Sequence, residues 1–235
     1  MDLRQTMAAL EKLGNEQTRK TWLAHGATGE LFGVRIGDMK GLLKKIRGRQ
    51  ELALELYGTG NLDAMYLAGL AADGARMSKR ELETWVRDAR WGMLAEYTVP
   101  WVACESALAR ELALKWLDSK KERVASAGWN TYSGIVSTRA DDELDLDEVE
   151  SLLARVERDI GAVPNRVRYC MNGFVIAVGS AVKPLLARAR SAAKKIGKVE
   201  VDMGDTECRL PDALAMLKKI ESLGRIGKKR KTMKC

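Results

Sequence analysis

Histidine is almost absent from this chain, His25 being the only one in 235 residues. A Ser-His-Asp or Cys-His nucleophile would have to use it, and a metal site built from several histidines is excluded. Beside Gly26, His25 falls where a helix C-terminus is expected, in the place of a capping residue. The four cysteines, Cys104, Cys170, Cys208 and Cys235, form no C-x-x-C pair. That spacing supports neither a zinc knuckle nor a disulfide framework, and a reduced, cytoplasmic protein is expected. Neither G-x-x-x-x-G-K-[ST] nor G-x-G-x-x-G occurs, so phosphate-cradling loops have no support and no cofactor is expected. No run reaches the roughly 18 apolar residues of a membrane span, and the first residues, MDLRQTMAALEKLG, lack the apolar stretch of a signal peptide. The expectation is a chain with no metal and no membrane partner.

Helical periodicity runs nearly end to end. Ser78-Lys79-Arg80-Glu81 has the form of a capping box, Asp145 to Glu148 resembles a second, and Asn61 is placed to cap a helix reaching to about Ala72. Breakers at Gly14, Gly26, Gly48, Gly58, Gly60, Pro100, Pro164, Gly197 and Pro211 divide the chain into about a dozen helices of ten to twenty residues. Only Val199 to Asp202 and Glu207 to Leu210 alternate like strands, with Gly204-Asp205 between them, so a small hairpin is expected near 199–210 in an otherwise all-α fold.

An internal echo indicates how the helices pair. ELAL occurs at 51–54 and again at 111–114, each followed by a polar break and then a helix rich in small residues. Ala64, Gly69, Ala125 and Gly128 permit close antiparallel packing, and repeated pairs of this kind build an α-solenoid. The alternative is an irregular helical bundle.

Net charge is +8, but the last eleven residues carry six cations and no acid, and taking six from eight leaves +2 for the other 224. Two parts are therefore expected: a helical body over 1–224 and a basic, flexible tail over 225–235. The tail residues Lys228, Lys229, Arg230 and Lys231, with Lys44, Lys45, Arg166 and Arg168 in the body, are candidates for phosphate contacts. A solvated surface is the plainer reading of each cluster.

Trp85, Trp91 and Trp101, three of the six tryptophans, fall with Tyr97 and Glu96 in one helix-forming stretch. On a continuous helix Trp85 and Glu96, eleven positions apart, share nearly one face, which sets an indole near a carboxylate. Indole faces hold cations and stack on bases, and a carboxylate stabilises developing positive charge. Packing between helices is the other use of such rings.

GNEQTRKTWLAHGATGELFGVRIGDMKGLLKKI at 14–46, ELALELYGTGNLDAMYLAGLAAD at 51–73 and NRVRYCMNGFVIAVGS at 165–180 resemble the bacterial DNA alkylation repair proteins, along essentially the whole chain. The resemblance implies about six antiparallel HEAT-like helix pairs with a basic concave face for duplex DNA. It also implies, in active relatives, a glycosylase that releases N3- and N7-alkylated purines. Such a cationic base already leaves readily, so a site needs a carboxylate for the sugar cation and aromatic faces for the base. Active members resemble Trp-Trp-Asp-x-x-Asp where this chain reads Trp91-Gly92-Met93-Leu94-Ala95-Glu96. The family's arginine falls near Ala127 to Asn130, and a later tryptophan falls at Ser180.

These residues define three expectations. Glu96 would be the catalytic group, with Trp91, Tyr97, Trp101 and Trp129 around the base. A chain without an intact site would instead be a monomeric binder of duplex DNA. A protein-binding helical scaffold is the third.

Overall fold

The computed structural model describes residues 1–204 and 206–234, and among these it contains α-helices, short 3-10 turns and one π-helical turn but no strand. They cluster into two compact units. Unit 1 contains α1 (Leu3–Leu13), α2 (Glu16–Ala24), α3 (Met39–Ile46), α4 (Gln50–Gly58), α5 (Leu62–Ala71), α6 (Lys79–Asp88) and α7 (Val99–Ala103). Unit 2 contains α8 (Ala109–Leu117), α9 (Glu122–Thr138), α10 (Leu146–Asp159), α11 (Asn165–Ala181), α12 (Leu186–Ile196) and α13 (Ala213–Ser222).

The capping signals act as their chemistry requires. Ser78 and Glu81 form a reciprocal capping box at α6, and the Asn61 side chain accepts from the Asp63 and Ala64 amides at α5. Asp145 caps α10, and His25 occupies the C-cap of α2 ahead of Gly26, whose φ is 76°. The two ELAL copies lie in α4 and α8, each the first member of a helix pair, α4 with α5 and α8 with α9. α5 is buried on every side, so it has no polar face and its periodicity is weak.

Small residues set the spacing of the α8–α9 pair. A side-chain carbon added at Gly128 would lie 2.3 Å from the Leu117 nitrogen and 2.9 Å from the Ala113 carbonyl oxygen. The two backbones thus approach where only hydrogen fits. Beneath them Trp116, Trp129 and Phe174 are fully buried, and the Tyr132 hydroxyl donates to Glu148, which also holds Arg110.

Two expectations require correction. The hairpin near 199–210 is absent from the described residues, and Asp205, at its expected turn, lies outside them. Helix α11 supplies the reason: the Asn165 side chain donates to the Asp202 carbonyl at 2.7 Å and accepts from its amide at 2.8 Å, while Arg168 donates to the Glu200 carbonyl. Side chains therefore satisfy groups that a strand ladder would have used. The continuous helix from Trp85 to Trp101 is also absent. α6 stops at Asp88, residues 89–91 form a break, and the helix that resumes at Gly92 widens to a π-helical turn over Leu94–Thr98 and leads into α7. Pro100 cannot donate to the Glu96 carbonyl, and the ladder ahead of it widens to the five-residue spacing.

The segment from 225, expected to be a flexible tail, makes specific contacts. In unit 2 the Gly227 amide donates to the Ser180 carbonyl and the Arg230 amide to the Ser137 carbonyl, both at 2.8 Å. Lys229 donates to the Val136 carbonyl and pairs with Asp141 at 2.7 Å. These carbonyls belong to the last turns of α11 and α9, where helices leave acceptors unpaired and favour positive charge. In unit 1, Lys234 likewise reaches the Ala72 carbonyl after α5 and pairs with Glu105 at 2.7 Å. Among the described residues no single helix is long and apolar enough to cross a membrane.

Gly128→Val places methyl groups against the α8 backbone and is expected to cost about 1 to 3 kcal/mol or more. Urea unfolding of the full chain measures it, and an unchanged midpoint contradicts the close approach.

Candidate nucleic-acid interface

The break between α6 and the π-helical turn takes its position from the loop after α2. Asp63, near the start of α5 and 3% exposed, accepts from the amides of Phe32 at 2.7 Å, Gly33 at 3.0 Å and Val34 at 3.0 Å. Burial raises its carboxyl above the ordinary value, and the three amides oppose that shift. The loop so pinned offers its Val34 carbonyl to the Trp22 indole at 3.2 Å, and the His25 carbonyl receives the Trp91 indole at 3.1 Å. The Trp22 and Trp91 rings lie 5.6 Å apart.

Trp91 is therefore closed from both sides, its ring against Trp22 and its N–H against a backbone carbonyl. The space left among Trp22, Asp63, Tyr66 and Trp91 is about 10 Å³. That approaches the size of one water and excludes a purine.

Glu96 lies in the π-helical turn and is 2% exposed. Its carboxylate rests over Gly92: a side-chain carbon at that position would come within 3.2 Å of the Glu96 Oε1. Two departures from the family pattern thus occur together. Glycine in place of the second tryptophan opens the room into which the longer carboxylate folds. Trp101 is 5% exposed and meets Tyr66 edge-on at 5.5 Å, and the half-buried Tyr97 leans on Trp101 at 6.3 Å. Trp85 stacks on Tyr57 at 3.9 Å. Trp129 belongs to unit 2, where it is fully buried beside Phe174 with the Arg155 guanidinium 5.8 Å from its ring.

The basic candidates divide into exposed and engaged groups. Lys44 and Lys45 are exposed in the last turn of α3. Lys228, Arg230 and Lys231 are exposed on the terminal segment, whereas Lys229 is held by Asp141. Arg166 lies 4.4 Å over the Tyr169 ring, and Arg168 spends its guanidinium on the Glu200 and Val163 carbonyls. Three of the four cations of α12 are paired: Arg188 with Glu157 and Glu150, Lys195 with Glu157, and Arg190 with Glu221. Burial acts to raise the Glu157 carboxyl, but its bonds to Arg188 and Lys195 outweigh this and hold it below the ordinary value. Among the described residues no group of histidines, cysteines and carboxylates is arranged to hold a metal.

The sequence stretch 6–192 matches the family described as DNA alkylation repair enzyme, and the chain belongs to it. A solved structure from a family related to the HEAT-like repeat DNA glycosylases, with affinity for branched DNA structures, shares 38% identity over the whole of both chains at a TM-score of 0.92. The fold is thus the HEAT-like repeat. Uncharacterized proteins of Listeria innocua and Listeria monocytogenes are 33% and 32% identical over 216 residues, covering 89% of this chain and 93% of their own.

Neither Trp22 nor Asp63 stands out in the sequence as a determinant of this region, because their partners lie up to 69 positions away, at Trp91. Asp63→Asn presents an amide group where the carboxylate meets three donors, so at least one loop N–H loses its acceptor. The expected loss is about 1 to 3 kcal/mol, with Trp91 emission shifted to longer wavelength as the loop loosens. Unchanged stability and emission would show that the loop is held by other contacts.

Proposed function

We propose that this chain binds DNA at branches, gripping the duplex arms through phosphate contacts, and excises no base. The enclosure of Trp91 and Glu96 carries this reading. A glycosylase must bring an extruded base and its sugar against the aromatic faces and the carboxylate, and the electrostatic benefit of that carboxylate requires contact with the reacting centre. Trp91 instead packs on Trp22 and bonds the His25 carbonyl, while Glu96 lies over Gly92. Ala127 to Asn130 supply no arginine. The affinity of the structural relative for branched DNA supports the same partner for this chain.

Affinity then comes from exposed cations. Lys44 and Lys45 in unit 1, and Lys228, Arg230 and Lys231 in unit 2, are exposed and would release counterions on meeting phosphates without reading sequence. The paired cations of α12 contribute less, since each would first have to leave its carboxylate.

A gel-shift comparison of a four-way junction with a linear duplex of equal length tests binding. The junction is expected to bind more tightly, and replacing both Lys44 and Lys45 with alanine is expected to make the slope of log K against log salt shallower by up to about 2. Single-turnover incubation with duplex bearing N7-methylguanine tests chemistry. The expected release is the spontaneous rate; faster release contradicts the reading, and failure to bind either DNA leaves the protein-scaffold alternative.

A further inference from the structure

Unit 1 contains a recess of about 940 Å³ whose lining includes neither Trp91 nor Glu96. It lies between the turn Gly58-Thr59-Gly60 after α4, the loop at Thr28 to Glu30, and one side of α6. That side presents Ser78, Glu81, Thr84 and Asp88, the three- and four-residue spacing of a single helical stripe. The opposite side of α6 buries Leu82 and Val86 in the core. The floor is the Tyr57–Trp85 stack, whose rings are within 5° of parallel, with the Tyr57 hydroxyl donating to the Trp85 carbonyl at 2.7 Å. Both rings are 3% exposed, so they stiffen the floor and do not offer a stacking face. The recess stays open because Gly58 and Gly60 have nothing within 4 Å of where a side chain would begin.

Its charges are mixed and ordered. Arg80 and Arg90 are exposed lining residues, while the half-buried Asp88 accepts from the exposed Arg87 at 3.1 Å through one oxygen, and its charge, after burial itself, raises the Tyr57 phenol well above its ordinary value. A wholly anionic ligand would meet Glu81 and Asp88, and a wholly cationic one would meet the two arginines. A nucleotide has both complements: phosphate oxygens accept from arginine, and the amino edge of a base donates to carboxylate and hydroxyl oxygens. The volume falls in the range of small-molecule sites.

We infer that this recess takes one unpaired nucleotide of branched DNA, its base turned toward Asp88 and Thr84 and its phosphates toward Arg80 and Arg90. The inference rests on the DNA-binding reading above. Branch points supply unpaired or weakly stacked nucleotides, which cost least to turn out of a helix. Cytosine donates from its amino group where thymine presents a carbonyl oxygen, so the recess favours cytosine over thymine.

The test measures fluorescence anisotropy of the full chain with three four-way junctions: fully paired, carrying one unpaired cytosine at the branch, and carrying one unpaired thymine there. The cytosine junction is expected to bind about fivefold or more tighter than the other two. Asp88→Ala is expected to reduce cytosine over thymine, and Gly58→Trp, which fills open space, to abolish the preference in a protein whose circular dichroism is that of wild type. Equal affinity for all three junctions, still above that for linear duplex, overturns the recess inference and leaves the DNA-binding reading standing. A cytosine preference that persists in Gly58→Trp also overturns it. Binding to no junction overturns both.

Discussion

The carboxylate of Asp63 is the interaction on which the candidate site depends. Three consecutive backbone amides, from Phe32 to Val34, converge on it inside unit 1. An irregular loop in a buried setting must satisfy its donors, and one side chain does this for three of them. With the loop fixed, the Val34 and His25 carbonyls become acceptors at set positions for the Trp22 and Trp91 indoles. Trp91, which the sequence offers as a base-binding ring, is thereby packed against Trp22.

The neighbouring turn follows the same logic by different means. Pro100 interrupts the helical ladder, the π-helical spacing turns Glu96 inward, and Gly92 leaves room for its carboxylate. Restoring a tryptophan at 92 would demand the space that Glu96 occupies. The two departures from the pattern that the resemblance implies are therefore coupled, and together they leave the Glu96 carboxylate buried over Gly92. The fold of the family is retained while, in the function proposed above, the chemistry of its site is not, because a fold supports function only through the groups it exposes.

Local signals in the sequence were reliable where structure is local. The capping boxes, the His25 C-cap, the paired helices around both ELAL copies and the close approach at Gly128 are set by neighbours within a turn or within one helix pair. The strand-like alternation at 199–202 misled because Asn165 and Arg168, more than thirty positions away, take up that backbone. The terminal cations look like a solvated tail in composition, yet Lys229 and Lys234 meet helix-end carbonyls that no linear pattern reveals. At the site, periodicity brought Glu96 beside Trp85 on an unbroken helix. The break at 89–91 instead sends Trp85 to Tyr57 and Trp91 to Trp22.

The central claim is that the Trp91 indole is spent on the His25 carbonyl and stays there when DNA binds. Its most direct test is the Trp91 indole N–H resonance of the full chain labelled with 15N-tryptophan, assigned with Trp91→Phe and followed during titration with duplex carrying N7-methylguanine. The expected result is a resonance that exchanges slowly with water and keeps its position through saturation. A resonance that shifts strongly, or exchanges rapidly once DNA is added, would contradict the claim.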